Sequence, residues 1–404
     1  MNVPGEPGRR LPAAIWTLGF VSLLMDVSSE MIHSLLPVFL VTGLGASAFA
    51  VGLIEGAAEA TALIVKVFSG ALSDYWGRRK PLAVLGYGLG ALSKPLFAVA
   101  PAAGFVLAAR VIDRIGKGIR GAPRDALVAE IAPRELRGAA FGLRQSLDTV
   151  GAFLGPLIAM GLMLAWADDF RAVFWVAAIP GFLAVALLFL GIREPGRPEG
   201  HVPRNPIRRE SLARLPRAYW WVVAFGAVFT LARFSEAFLV LRAEQGGLPL
   251  ALVPLVLIGM NVVYSLSAYP FGKLSDRVDH GKLLALGLAV LIAADLALAW
   301  SSHWSWVWVG VSLWGLHLGI TQGLLATMVA NAAPRDLLGT AYGLFNLVSG
   351  IAMLLASALA GLLWDRFGAS LTFVAGAGFC VAALALLAAR TLRRTDAAGR
   401  TDAK

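Results

Sequence analysis

The chain contains little of what soluble enzymes and disulfide-stabilised proteins depend on. Only 15% of its 404 residues are charged, one residue is cysteine and five are histidine, whereas soluble domains carry about 25% charged residues. The single cysteine, Cys380, excludes an intrachain disulfide and a cysteine metal cluster. The histidines are too widely spaced for a metal site and no phosphate-binding P-loop is present. The sequence therefore predicts no metal, no cofactor and no enzyme activity.

What the chain has in excess is apolar sequence. Hydrophobic residues make up 58% of it and the mean hydropathy is +0.73, so water is not the solvent for most of its surface. A membrane-spanning helix needs about 20 mainly apolar residues. The sequence predicts an all-α membrane protein with twelve spans, at 13–40, 47–72, 82–100, 103–125, 139–164, 171–192, 218–241, 250–275, 282–299, 304–331, 338–363 and 369–389.

Charged residues outside these spans divide between two kinds of loop. One alternating set is rich in arginine and lysine, as at 78–80 and 193–217. The opposite set holds only three basic residues, Arg171, Arg242 and Arg366. Basic loops of membrane proteins face the cytoplasm. Topology therefore accounts for the net charge of +10 without nucleic acid. The pattern predicts a multi-pass protein of a bacterial inner (cytoplasmic) membrane with both termini in the cytoplasm.

The second half of the chain repeats the first. Residues 131–142 match residues 332–343, and residues 70–74 match 272–276, at offsets of 201 and 202. A nearly constant offset indicates a duplicated unit of six spans, and because six is even the two units share one orientation. The predicted domains are a six-helix bundle at 1–192, a cytoplasmic linker at 193–217, a second bundle at 218–389 and a cytoplasmic tail at 390–404.

Several predicted spans contain charged residues. Each costs about 2.5–3.5 kcal/mol in hydrocarbon and is normally kept only to face a partner or a water-filled cavity. Span one carries Asp26 and Glu30 one helical turn apart on the same face. Carboxylates in such a cavity can load and release protons near neutral pH. We expect at least one of the two to serve proton coupling or substrate binding, with simple pairing of Asp26 to an arginine of span four as the alternative.

Span four is the most highly charged of the twelve. Arg110 and Arg114 lie on one stripe of this helix together with Lys117 and Arg124, at three- and four-residue steps. These arginines can bind an anionic substrate or favour the ionised form of a carboxylate, or they can form a structural ion-pair lattice with Asp113. The remaining candidate cavity residues are Asp148 in span five, which can pair with Arg144, and Arg233 with Glu236 in span seven.

Residues 70–80 read Gly-Ala-Leu-Ser-Asp-Tyr-Trp-Gly-Arg-Arg-Lys. This segment resembles the loop motif G-x-L-x-D-x-x-G-R-R-K of the major facilitator superfamily, and a shorter copy follows span eight. The resemblance implies that family's fold, two pseudo-symmetric six-helix bundles with a central cavity, and a gating role for the loop. A role in setting topology alone is the alternative. The implied gating residues are Gly70, Asp74, Gly77, Arg78, Arg79, Gly272 and Asp276.

Span five contains Gly151, Gly155 and Pro156 in a segment that resembles the antiporter motif g-x-x-x-G-P-x-x-G-G of the family's drug/proton branch. Ala159 and Met160 stand where that motif has its last two glycines, and close helix packing alone would give the same pattern. The segment from Arg114 to Gly118 likewise resembles the family's span-four motif, whose arginine is linked to proton transfer.

These features predict a secondary transporter that works by alternating access, in which two bundles rock and open a cavity to one side at a time. The preferred form is proton-coupled export of a small organic solute by a monomer, with protons and the lipid bilayer as further partners. Exchange or uptake of an organic anion, bound by Arg110, Arg114 and Arg233, is the alternative. A non-transporting sensor is a third possibility, although the linker and tail are short for the soluble domain that it needs.

Overall fold

The computed structural model describes residues 11–76, 78–133, 136–193, 214–275, 277–301, 303–321, 323–334 and 337–401. Over these residues the regular structure is helical, with a π-helical turn at Phe39–Gly43, a 3₁₀ turn at Leu250–Leu252 and no strand. The predicted all-α class is confirmed.

The helices follow one another with short connections. Those of the first half are α1 (Ala13–His33), α2 (Leu36–Val38), α3 (Ala48–Trp76), α4 (Lys80–Val99), α5 (Ala103–Ile131), α6 (Arg137–Ala165) and α7 (Phe170–Gly191). Those of the second half are α8 (Arg217–Leu231), α9 (Ala237–Gln245), α10 (Leu255–Ser275), α11 (His280–Trp300), α12 (Trp304–Thr321), α13 (Leu324–Ala332), α14 (Leu338–Phe367) and α15 (Ala369–Thr401).

Nine helical segments within the described residues are long and apolar enough to cross a membrane, and they coincide with nine of the predicted spans. The other three spans have visible reasons to differ. Helix α5 is long but highly charged, span seven is divided into α8 and α9, and span ten is divided into α12 and α13. The second division lies next to Gly323, whose φ of 76° is a left-handed conformation that glycine adopts without strain.

Contacts group the described residues into two compact units, 11–33 with 65–193 and 34–64 with 214–401. Within the first unit, α1 packs on α6 and α7, and α4 packs on α5 and α7. Within the second, α8 packs on α14 and α15, and α11 packs on α12 and α15. These pairs correspond under the sequence repeat, so both units use one packing plan.

The N-terminal part of α3 groups with the second unit, although the predicted boundary at 192 assigns it to the first bundle. Glycines explain this grouping. A Cβ added at Gly56 would lie 2.9 Å from the Leu354 Cα of α14, so the two helix backbones touch directly. The linker, predicted at 193–217, lies mostly outside the described residues.

The helices expose large apolar side chains on their outer faces. Leu190, Leu266 and Trp300 are 81%, 73% and 75% exposed, which would be unfavourable in water. Lipid is the solvent that such faces match. Several charged side chains of the spans, among them Lys94, Arg110 and Asp113, are in contrast buried between helices.

Candidate functional site

A dense charge cluster lies between α4 and α5 in the first unit. The Lys94 Nζ is 2.7 Å from the Asp113 Oδ1 and also donates to the Ser29 Oγ at 3.0 Å. An Arg110 guanidinium nitrogen lies 3.8 Å from the other Asp113 oxygen. All three charged side chains are at most 3% exposed. Asp113 therefore serves as the buried counter-ion of this cluster.

A third cation also lies within electrostatic range of Asp113. Arg114, which is 4% exposed, also acts electrostatically on this carboxylate. Lys94, Arg110 and Arg114 thus place three cations close to Asp113, and Arg114 also acts electrostatically on Glu30. This arrangement contains the lattice that the charge pattern of span four allowed, together with a pairing partner, Lys94, that the pattern did not assign.

Asp26 of α1 faces a second carboxyl group, that of Asp148 in α6. The two side chains are within hydrogen-bonding reach of each other, and Arg120 and Lys117 of α5 lie within electrostatic range of Asp26. Asp148 is also 3.6 Å from Arg144 and 3.8 Å from Arg124. The sequence analysis paired Asp26 only with arginines, so the carboxyl pair is visible in the tertiary structure alone.

Glu30 lies one turn further along α1 and has a different partner. Its carboxylate is 3.3 Å from the His33 Nδ1, and the two side chains are 24% and 17% exposed. Arg114 and Lys117 act on it electrostatically from α5. Asp26 and Glu30 share a helix face as expected, but they take part in separate interactions.

The glycines of the antiporter-like motif hold α6 against this face of α1. A Cβ at Gly151 would lie 2.5 Å from the Leu23 carbonyl oxygen and 3.1 Å from the Asp26 Cβ. A Cβ at Gly155 would lie 2.8 Å from the Val27 carbonyl oxygen and 2.8 Å from the Glu30 Cβ. Pro156 follows inside the same helix. The motif thus sets the distance between α6 and both candidate carboxylates.

The gating-motif residues are described only in part. Gly70 and Asp74 belong to the last turns of α3, but the Asp74 side chain lies outside the described part of the chain, as do Gly77 and Asp276 altogether. Arg79 stands at the N-terminus of α4 and contacts Glu130 at 3.3 Å. Arg78 is exposed and a Cβ at Gly272 would meet nothing within 4 Å.

In the second unit the candidate residues lie where span seven loses its helical form. Helix α8 ends at Leu231 and α9 begins at Ala237, and Arg233 and Glu236 lie between them. Arg233 is within electrostatic range of Glu236 and of Tyr264 in α10. Span seven contains no proline or glycine near this point, so the sequence offered no signal for the interruption.

Comparison with known proteins adds the family. A model described as Major Facilitator Superfamily matches residues 18–357 and 247–403. The MFS-type transporter MJ1317 of Methanocaldococcus jannaschii is 32% identical over 92% of this chain and 93% of its own length. Multidrug resistance protein MdtH of Proteus mirabilis is 27% identical over 80% of this chain and 78% of its own length.

Solved structures show the same fold. The peptide transporter POT superposes with a TM-score of 0.77 at 16% identity, covering 97% of this chain and 96% of that one. The human organic anion transporter MFSD10 superposes with a TM-score of 0.65 at 18% identity, covering 93% and 99%. The family model and these relatives, together with the repeated packing plan and the apolar helices, show that the chain belongs to the major facilitator superfamily and is a multi-pass membrane transporter.

Proposed function

We propose that this transporter exports a small organic solute in exchange for protons, and that Asp26 and Asp148 form the group that carries the proton. The observation that carries this proposal is the hydrogen-bonding proximity of the two carboxyl side chains. A carboxylate only accepts hydrogen bonds, so a bond between two carboxyl groups requires one proton between them. Such pairs bind and release protons as a unit.

The surroundings of this pair suit reversible protonation. Arg124 and Arg144 contact Asp148, and Arg120 and Lys117 act on Asp26. These cations favour the doubly ionised state, whereas mutual repulsion of the carboxylates favours the shared proton. A small movement of α5 relative to α1 changes this balance. A rearrangement of helices can therefore drive proton uptake or release, as a coupled transporter requires.

Two further features support export. The packing of α6 against α1 uses Gly151 and Gly155 of the segment that resembles the drug/proton antiporter motif. Relatives such as those from Proteus mirabilis and Photorhabdus laumondii are named multidrug resistance proteins.

We further propose that the chain acts as a monomer in a bacterial inner membrane with both termini in the cytoplasm. The loop containing Arg78 and Arg79 would then take part in gating.

A second candidate function is exchange or uptake of an organic anion. The three cations near Asp113 favour it, because Lys94, Arg110 and Arg114 are all buried and guanidinium and ammonium groups bind carboxylates. An anionic solute would bind to this group of cations. In that case the charged residues of the first unit would bind the solute itself and not a proton.

Transport into vesicles separates these candidates. Proteoliposomes that contain the full chain and a pH-sensitive dye would be offered ethidium as a cationic probe and 4-hydroxybenzoate as an anionic probe. Proton-coupled export predicts that a solute gradient moves protons. It also predicts that Asp26→Asn with Asp148→Asn lowers this movement about a hundredfold or more, which is the lower end of the effect of losing a proton-transfer group.

Asp295→Asn is the matched control, because Asp295 is another buried aspartate within a span but lies in the second unit. It should leave proton movement unchanged. Transport that ignores the pH gradient, or full coupling in the Asp26→Asn, Asp148→Asn variant, would rule out the proposal. Anion transport that persists under those conditions would establish the second candidate instead.

A further inference from the structure

The interruption of span seven places non-helical backbone and a cation within the second unit. The Ser235 amide donates to the Ser357 Oγ of α14 at 3.2 Å, and the Ser235 Oγ accepts from the Ala237 amide at 3.2 Å. Non-helical backbone at membrane depth is tolerated only where protein buries it or where it lines a polar cavity. In transporters, interrupted helices of this kind form substrate sites.

Arg233 lies in this interruption with its guanidinium unused. Among the described residues its side chain forms no hydrogen bond and no ion pair within 4 Å, and Glu236 and Tyr264 act on the guanidinium only electrostatically. A guanidinium presents five N–H donors in a planar fork that matches carboxylate and phosphate groups. At membrane depth these donors need a partner.

A second unused polar atom belongs to His317 in α12. Its Nδ1 is 2.8 Å from the Gly287 carbonyl oxygen of α11. A carbonyl oxygen only accepts hydrogen bonds, so Nδ1 carries a proton, and in the neutral ring Nε2 then carries a lone pair. The residue is 0% exposed, and Nε2 has no hydrogen-bond partner in the part of the chain that the structure describes. Because the two ring nitrogens face away from each other, Nε2 points away from Gly287.

The His317 ring lies beside the interruption. It stacks on the Phe229 ring of α8, with centroids 5.7 Å apart and planes inclined by 29°. Phe229 is one turn before Arg233, and the Arg233 charge acts on the imidazole. The unused donor fork of Arg233 and the unused acceptor of His317 therefore belong to one locality, with an aromatic face between the two helices.

We propose that Arg233 and the His317 Nε2 together select the substrate, and that it is a small organic anion that also carries an N–H or O–H group. The anionic group would bind the Arg233 guanidinium, and the N–H or O–H would donate to Nε2. The proposal rests on the transport function proposed above and names its substrate class. It assigns binding to the second unit, separate from the proton pair of the first.

Equilibrium binding to the purified full chain in detergent tests this selection without a proton gradient. The probes are two matched pairs, 4-hydroxybenzoate with 4-methoxybenzoate and lactate with 2-methoxypropionate, in which one member of each pair lacks the donor. For at least one pair, we expect the hydroxy acid to bind about tenfold more tightly, which is the effect of one hydrogen bond. Arg233→Gln should weaken both members of that pair equally.

Two variants of His317 separate its acceptor from its structural role. His317→Asn retains an N–H that can reach the Gly287 carbonyl but removes the acceptor at Nε2, so the preference for the hydroxy acid should disappear. His317→Gln returns a carbonyl oxygen near the Nε2 position and should restore part of the preference. Asp295→Asn should leave the preference unchanged.

Several results would overturn the proposal. One is the absence of any preference in the wild-type chain for either pair, which is decisive even if a variant fails to fold. Another is a preference that survives His317→Asn. Loss of proton coupling with intact hydroxy-acid binding would contradict only the proposed exchange with protons. Intact coupling with no donor preference would contradict only the substrate class.

Discussion

The ammonium group of Lys94 in α4 lies 2.7 Å from a carboxylate oxygen of Asp113 in α5, and these side chains are 2% and 3% exposed. This ion pair joins two helices inside the first unit, and Arg110 approaches the same carboxylate. A buried ion pair adds little net stability compared with apolar residues, but the loss of one partner leaves the other charge uncompensated. The stability of the first unit should therefore depend strongly on keeping both partners of this pair.

We predict that Asp113→Asn lowers the free energy of unfolding by about 3–5 kcal/mol, because the buried ammonium group of Lys94 loses the carboxylate that it contacts. The measurement is reversible unfolding of the purified chain in detergent. The double variant Lys94→Met, Asp113→Leu should recover much of the loss, since it removes both charges. A double variant as unstable as the sum of the two single changes would mean that these residues do not interact.

Substitution of Asp295 in α11 should change the stability much less than substitution of Asp113. Asp295 is 0% exposed, and neither carboxyl oxygen has a hydrogen-bond partner among the described residues. An ionised carboxylate would have nothing here to offset its desolvation, so we expect the neutral acid. Asp295→Asn preserves shape and charge state and should change the free energy of unfolding by less than about 1 kcal/mol. A loss comparable to that of Asp113→Asn would reveal a counter-ion.

Asp365, at the end of α14, caps the N-terminus of α3 from a distant part of the chain. Its two carboxylate oxygens accept from the Ala48 amide at 2.9 Å and the Phe49 amide at 2.8 Å. Asp365→Ala should cost about 1 kcal/mol locally. We therefore expect hydrogen exchange at the start of α3 to become several-fold faster, measured by mass spectrometry on a peptide that covers residues 46–52.

Asp169 provides the control for this prediction. Its carboxylate accepts from the Ala172 amide at 3.1 Å and so caps its own helix, α7. Asp169→Ala should accelerate exchange at the start of α7 and leave residues 46–52 unchanged. Equal exchange of that peptide in the wild-type chain and in Asp365→Ala would show that the contact between α14 and α3 contributes nothing.

The close contact of α3 with α14 also makes a prediction about glycine. A Cβ at Gly56 would lie 2.9 Å from the Leu354 Cα and 3.1 Å from its carbonyl oxygen, and backbone atoms cannot move aside. Gly56→Ala should therefore lower the free energy of unfolding by about 1–3 kcal/mol. Gly88→Ala, in α4 with nothing within 4 Å, should be neutral or stabilising by up to about 1 kcal/mol. Equal stabilities of the two variants would contradict direct backbone contact.

The helical class, the positions of nine of the twelve predicted spans and the membrane setting could be predicted from the sequence. Each depends on local composition: about 20 apolar residues must form a helix in lipid, whatever their neighbours. The duplicated segments also predicted two related units, and the helix contacts of the two units correspond. The loop motif at residues 70–80 predicted the family, which the relatives confirm.

The candidate site could be predicted only as a set of residue types. The stripe pattern placed Arg110 and Arg114 on one face of span four, but it gave Lys94 no role, because pairing across α4 and α5 depends on how two helices are rotated. The pattern also gave no indication that Asp26 and Asp148 lie together, because their contact depends on how α1 and α6 are rotated. Pairing, unlike helix formation, is a property of at least two segments.

The sequence by itself determined that this chain is an all-α membrane transporter of the major facilitator superfamily, because apolar length and motif spacing are written along one dimension. Only the tertiary structure decided that Asp26 lies beside a second carboxyl group and that the helix of span seven is interrupted at Arg233. It also decided which ring nitrogen of His317 faces a backbone carbonyl. The physical reason is that hydrogen bonds and ion pairs act over a few ångströms between distant segments, whose approach is set by packing.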